Sequence, residues 1–165
     1  MLISVLSDCY NIFILKFRAH AKAIGYERGG SCWISCRCQC ARTNLTQGQP
    51  IIFETVSTNV GGAYHNNHGL FIAPVPGLNM FSASVLSDYD PHKHIETSLV
   101  VNGMTKARTH SYSAEHMRDQ GSATMVVELN AGDEVWVKLE YPNDDSLFGN
   151  SWTSFTGALI TRLWN

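Results

Sequence analysis

Residues 51–81 read IIFETVSTNVGGAYHNNHGLFIAPVPGLNMF, and the spacing of their aromatics, glycines and prolines is the strongest structural signal in the chain. Phe53, Tyr64, Phe71 and Phe81 are separated by turn-forming clusters at Gly61-Gly62, Asn66-Asn67-His68-Gly69, Pro74 and Pro76-Gly77. Glycine supplies positive φ and proline fixes φ while removing a ladder donor, so such clusters cut a stretch into short strands.

The same punctuation extends outward from Cys32 to the C-terminus, with further turn signals at Asn102-Gly103, Asn130-Ala131-Gly132-Asp133 and Pro142-Asn143-Asp144-Asp145. Only Ala114 to Arg118 shows a brief helix preference, and no alternating helical pattern argues for a parallel sheet. An all-β sandwich or jelly roll is predicted. Across residues 123–141, Met125, Val127 and Leu129 share one face of a strand. After the Asn-Ala-Gly-Asp turn, Val135, Val137 and Leu139 alternate with Trp136, Lys138 and Glu140. This pattern predicts a hairpin with a core face and a second face that is not simply polar. Trp136 is then expected inside a second layer or at a subunit contact.

The chain has 165 residues, enough for one domain that buries roughly 70 % of its unfolded surface. Apolar residues make up 44 % and charged residues 16 %, which fits a globular protein with part of its surface apolar or covered. Twelve Lys and Arg against 14 Asp and Glu give a net charge of −2. That balance supplies no basic field for nucleic acid or an anionic membrane. Residues 1–31 form a leader with two readings: a weak secretory signal with Ala19-His20-Ala21 as cleavage site, or a non-native segment. It lacks the ~20 apolar residues of a membrane span.

The five cysteines, Cys9, Cys32, Cys36, Cys38 and Cys40, all lie in the first quarter of the chain. In an extended strand Cys36, Cys38 and Cys40 share one face roughly 7 Å apart, too far for the ~3.8 Å Cβ separation of a disulfide. No second knuckle pair or well-placed His follows, so they read as buried small hydrophobes. The odd count leaves an intermolecular disulfide open.

Phe53, Asn59, Tyr64, Phe71, Gly77 and Phe81 reproduce a known signature: Phe, five residues, Asn or Asp, four, an aromatic, six, Phe, five, Gly, then alternating aromatics. By these residues the chain resembles the C1q globular domain family. Ser98 to Gly103, Gly121-Ser122-Ala123, Ala131-Gly132-Asp133 with Val135-Trp136-Val137, and Phe155-Thr156-Gly157-Ala158-Leu159-Ile160 extend the resemblance, in family order, over residues 49–163. The sequence departs at Asn79, where the family usually has Tyr, and at Ala83, where another aromatic is common. It departs again between Ile34 and Thr43, where Cys38 or Cys40 occupies an expected aromatic position. The resemblance implies that residues 32–165 form an all-β, ten-stranded jelly-roll sandwich, C1q/TNF-like and trimer-forming. The phrases at Thr46 to Phe53 and at Ala73 to Gly77 are similar to short invertebrate, often molluscan, members.

No nucleophile elbow, phosphate loop or zinc-protease motif occurs, so the expected role is binding and not catalysis. The candidate surface is the loop from Tyr141 to Trp152, with Asn143, Asp144, Asp145 and Asn150 between two large aromatics. Carboxylate and amide oxygens suit sugar hydroxyls, and Asp144 with Asp145 suits Ca²⁺, which takes six to eight oxygens. The bland alternative is a solvated turn capped by its own side chains. The segment Ser87 to His94 places Tyr89 among acids and imidazoles; Asp88, Asp90, His92 and His94 would share one side if extended, a candidate divalent-metal surface. Arg108, Lys106 and Arg118 offer donors for an anionic sugar such as sialic acid. Asn44-Leu45-Thr46 is an N-glycosylation sequon.

The resemblance implies a secreted, homotrimeric, lectin-like pattern-recognition protein of innate immunity that binds glycans by avidity, without nucleic acid or membrane insertion. The alternatives are a trimeric extracellular signalling ligand and a Ca²⁺-dependent matrix protein, each with a protein partner.

Overall fold

The computed structural model describes residues 32–40, 42–88, 94–113, 117–142 and 145–163, with backbone only at 42, 43 and 145. The leader over 1–31, and Ala114 to His116 within the brief helix preference, lie outside them.

Among the described residues twelve strands follow one another: β1 (Trp33–Arg37), β2 (Arg42–Leu45), β3 (Thr55–Val60), β4 (Tyr64–His65), β5 (Leu70–Ile72), β6 (Gly77–Leu86), β7 (His94–Val101), β8 (Met104–Tyr112), β9 (Gln120–Leu129), β10 (Glu134–Tyr141), β11 (Asp145–Leu147) and β12 (Ser154–Arg162). Ten of them form two five-stranded sheets, ordered β3-β1-β12-β6-β9 and β4-β5-β10-β7-β8, and β2 pairs with β11 in a small third ladder. Every pairing among the described strands is antiparallel. The fold is an all-β jelly-roll sandwich.

The aromatics of residues 51–81 explain why the two sheets meet. Phe53, Phe71, Phe81 and Phe155 are fully buried. Phe81 and Phe155 stack at 5.9 Å, Phe71 meets Phe81 edge-on at 4.9 Å, and Phe53 and Tyr64 approach Phe155 at 5.8 and 6.2 Å. Offset and edge-on pairs of this kind add about 0.5–1.5 kcal/mol each beyond area burial. Asn59 holds the turn between β3 and β4: its side chain donates to Tyr64 O at 2.9 Å and accepts from Tyr64 N at 3.1 Å. Gly77 is required sterically, because a Cβ there would lie 2.7 Å from Thr161 O and meet the Leu159 side chain.

The departures from the aromatic pattern fall inside this core. Asn79 is 2 % exposed and donates to Gly77 O at 2.8 Å, so its amide is turned back on its own strand. Ala83 is buried beside Phe155 in the strand register. Ile34 and Cys36 of β1, and Cys38 just past its end, are buried, with Cys36 Sγ donating to Phe155 O at 3.2 Å. Cys40 lies beyond the end of β1 and is exposed, so the expected shared face of three cysteines contains only two.

The expected hairpin across 123–141 does not form. β9 pairs with β6 at the edge of one sheet, whereas β10 lies between β5 and β7 in the other. The Asn130 to Asp133 turn therefore passes from one sheet to the other at the surface of the sandwich. Met125 and Leu129 face Val135, Val137 and Leu139 from the opposite layer, and all five are buried. Alternation identifies the buried side of each strand, but two strands facing across a core alternate just as two paired strands do. Trp136 sits half-buried on the outward face of β10, in register with Leu70 and Val100.

Candidate functional site

Each sheet has one face in the core and one face outward, and the two outward faces differ in chemistry. On the β3-β1-β12-β6-β9 sheet, Val60, Trp33, Ala158, Met80 and Val126 stand in one continuous cross-strand row. Four of the five are large and substantially exposed. The next row on that face is Thr58, Ser35, Thr156, Ser82 and Thr124, and beyond it lie Ser154, Ser84 and Ser122. On β6 and β9 these hydroxyls pair across the strands: Thr124 Oγ1 donates to Ser82 Oγ at 3.0 Å, and the Ser84 and Ser122 hydroxyls lie 2.9 Å apart. No Asp or Glu occurs in these rows.

The outward face of β10-β7-β8 is charged and aromatic. Ser98 and Thr105 donate to Glu140 Oε1 at 2.8 and 2.9 Å, with Lys138 Nζ at 3.4 Å and the Arg108 guanidinium at 3.9 Å. Burial pushes the Glu140 carboxyl up, but those hydrogen bonds and the Lys138 charge outweigh it and hold the group below its ordinary value. At one end of the same face, His94 stacks on Tyr141 at 5.0 Å and on His110 at 5.3 Å, with Glu96 in register between Tyr141 and His110.

The structure separates several of the residues that the sequence grouped. Tyr141 is 49 % exposed and belongs to the outward face of the β10 sheet. Trp152 is 55 % exposed, and its carbonyl accepts from Gln120 Nε2 at 3.0 Å, beside the first residue of β9 in the other sheet. Asn150 and Ser151, both at positive φ, form the centre of a turn closed by Trp152 N donating to Gly149 O at 3.0 Å. That turn is tied to the end of β1 by Asn150 N to Gln39 O at 2.8 Å and Ser151 N to Cys38 O at 3.0 Å. Arg108 shares the outward face with Tyr141, with β7 between their strands, and is directed at Glu140. Asp145 lies in β11 opposite Leu45. Tyr89, Asn143 and Asp144 lie outside the described residues.

Arg118 is committed to a structural contact, lying 3.9 Å above the Phe148 ring and 3.7 Å from Asp88. The sequence reading missed Glu96, His110 and Glu140. Their signal is cross-strand, because the partners are far apart in sequence and meet only once the register of β7, β8 and β10 is known.

Two antiparallel five-stranded sheets around an aromatic core, closed by a final strand that carries Phe155 and Gly157, define a jelly roll of the C1q/TNF kind. The globular domain of zebrafish complement 1qA superposes with a TM-score of 0.67 at 18 % identity, over 80 % of this chain and 99 % of that one. Eiger TNF from S. frugiperda gives 0.68 at 10 % identity, over 82 % and 96 % of the two chains. Residues 35–160 match the C1q domain model, and the chain belongs to the C1q domain family. Complement C1q tumor necrosis factor-related protein 2 of Mus musculus is 34 % identical over 114 residues, 67 % of this chain and 37 % of that protein. Related protein 3 of the same organism is 32 % identical over 116 residues, 69 % of this chain and 46 % of the relative. The chain thus matches less than half the length of these relatives. The family and its structural neighbours are ligand and recognition proteins and not enzymes. Among the described residues no helix is long and apolar enough to cross a membrane.

Proposed function

We propose that the protein is a secreted, homotrimeric recognition module of innate immunity that binds carbohydrate through the exposed surfaces around Tyr141 and Arg108. The observation that carries this reading is the division of labour between the two outward faces. The apolar row Val60-Trp33-Ala158-Met80-Val126, flanked by small hydroxyl side chains and free of acidic groups, suits burial against further copies. A closed ring of three places this face inside and leaves the β10-β7-β8 face pointing outward. Exposed Tyr141 offers a ring for the apolar side of a pyranose, and Arg108 offers donors for an anionic sugar. Tyr89, Asn143, Asp144 and Asp145 are further candidate ligand groups by residue type, with the Asp144 and Asp145 carboxylates suited to Ca²⁺, while Asn150 and Trp152 belong to the turn beside β1 and β9 and would contribute to a separate contact. Three such weak sites on one rigid body bind a repetitive surface by avidity.

The test has two parts. Sedimentation equilibrium is expected to report a trimer, which Val126→Lys dissociates while the circular dichroism of the fold is retained. A glycan array with and without chelator is expected to show saccharide binding that Tyr141→Ala weakens. A folded trimer that binds no sugar would count against the carbohydrate reading.

A second reading, a trimeric signalling ligand or Ca²⁺-dependent matrix protein, is favoured by the charge network around Glu140. Lys138 and Arg108 each pair with Glu140 on the outward face, an arrangement suited to complementary charges on a protein partner. Salt-sensitive binding to a cell-surface protein, with an empty glycan array, is the outcome that selects it.

A further inference from the structure

We propose that His94, Glu96 and His110 form a binding site for a divalent ion of the Zn²⁺ class on the outward face of β7 and β8. One donor atom from each of the three side chains lies within 4.8 Å of the others. The grouping follows from the ladder. Glu96 and His110 are direct cross-strand partners, and His94 precedes Glu96 by two residues and so emerges on the same face. The sequence separation between Glu96 and His110 hides this triplet until the register is known.

Three features make it a site and not a chance cluster. The His94 and His110 rings lie face to face, 5.3 Å apart and 29° from parallel, with a nitrogen of each within 4.8 Å of the other. Tyr141 stacks on His94 at 5.0 Å and 25°, which restricts the rotation of that imidazole and lowers the entropy lost when it is held. Glu96 is half-buried, and no described residue engages its carboxylate in a hydrogen bond or ion pair. Arg108, two residues before His110 on the same face of β8, is directed at Glu140 instead.

Two imidazoles and one carboxylate are the donor set of borderline transition ions. Ca²⁺ requires six to eight oxygens and gains little from imidazole. A tetrahedral ion with bonds of about 2.1 Å would bring the donors to roughly 3.4 Å apart, a contraction within reach of the exposed His110 side chain. Three protein donors leave a fourth position for water or for a donor from an incoming molecule. The site is independent of whether the surrounding face recognises sugar or protein, and it differs in residues and in ion class from the Ca²⁺ proposed at Asp144 and Asp145.

The full chain is titrated calorimetrically with ZnCl₂, in the absence and presence of CaCl₂. Saturable uptake of about one Zn²⁺ per protomer is expected, undiminished by Ca²⁺. His110→Ala, an exposed substitution checked for folding by circular dichroism, is expected to weaken binding at least about tenfold, and Glu96→Gln by a similar factor. Cys40→Ser, which removes an exposed thiol from competition, is expected to leave the uptake unchanged. The proposal is overturned if the native protein shows no saturable Zn²⁺ uptake, if folded His110→Ala binds within threefold of native, or if Cys40→Ser abolishes the uptake.

Discussion

Phe81 of β6 stacks on Phe155 of β12 at 5.9 Å with their planes 15° apart, so the last aromatic of residues 51–81 rests on the strand that closes the sandwich. Phe155 also receives Phe53 and Tyr64 at 5.8 and 6.2 Å. One ring thus joins segments as far apart as residues 53 and 155, and Gly157, two residues on, leaves room for Phe81, whose ring a Cβ would strike at 2.5 Å.

Phe155→Ala is therefore expected to cost about 3–5 kcal/mol, the usual range for a fully buried ring that its neighbours cannot replace. That is a large share of the ~5–15 kcal/mol that stabilises a typical domain. Urea unfolding followed by tryptophan fluorescence checks it. A loss below about 1 kcal/mol would mean that the ring cluster is not packed as described.

Gly77→Ala tests a different kind of constraint. The added methyl would meet the Leu159 side chain and lie 2.7 Å from Thr161 O, so either β12 shifts or its ladder to β6 opens. A destabilisation of about 1–3 kcal/mol is expected, in the range of overpacked cores. Amide exchange at Leu159 to Arg162 should rise more than exchange in β7 and β8.

Thiol reactivity should divide the cysteines by position. Burial pushes the Cys36 thiol up to about 12 and the Cys32 thiol up to about 11, so almost no thiolate is present at neutral pH. Cys38 is buried, whereas Cys40 is exposed. In the native protein, iodoacetamide is expected to label Cys40 and to spare Cys32, Cys36 and Cys38 until denaturant is added. Site-resolved mass spectrometry reads the result, and rapid native labelling at Cys36 would contradict the burial of β1.

The fold was legible because its specification is local. Turn residues at fixed offsets cut the chain into strands, and aromatics such as Phe53 and Phe71, spaced as in the family signature, are buried together in the core. Strand pairing was less legible. Met125 and Val135 alternate as hairpin partners would, yet they belong to different sheets, because burial on a shared core imposes the same period as pairing. The candidate site was least legible of all. Tyr141 and Trp152 are close in sequence but lie against different sheets, while Glu96 and His110 become neighbours only through the β7–β8 register. Local chemistry in a loop says which groups are available, and long-range register says which of them meet.

The two-residue turn between β7 and β8 is fastened to the crossing between the sheets, and this fastening should titrate. Asn102 and Gly103 both adopt positive φ, as a tight hairpin turn requires. Asn102 Nδ2 donates to Asp133 Oδ1 at 2.9 Å, and Asn102 Oδ1 accepts from Glu134 N at 2.9 Å. Asp133 Oδ2 also accepts from Asn130 N at 2.7 Å. The hydrogen bonds from Asn102 and Asn130 hold the Asp133 carboxyl below its ordinary value. A carboxyl depressed in the folded state binds fewer protons there than in the unfolded chain. Its contribution to stability is therefore complete above the unfolded value of about 4 and is lost as pH falls through the lower folded value. Glu140, also held low, contributes with the same sign. Asp133 is close to solvent, so its share is small, and Asp133→Ala is expected to cost about 1 kcal/mol at neutral pH through the lost hydrogen bonds. The difference in melting temperature between native protein and Asp133→Ala should shrink on acidification from neutral pH to below the carboxylate range. A difference that stays constant or widens in acid would show that the carboxylate charge is not what fastens the turn.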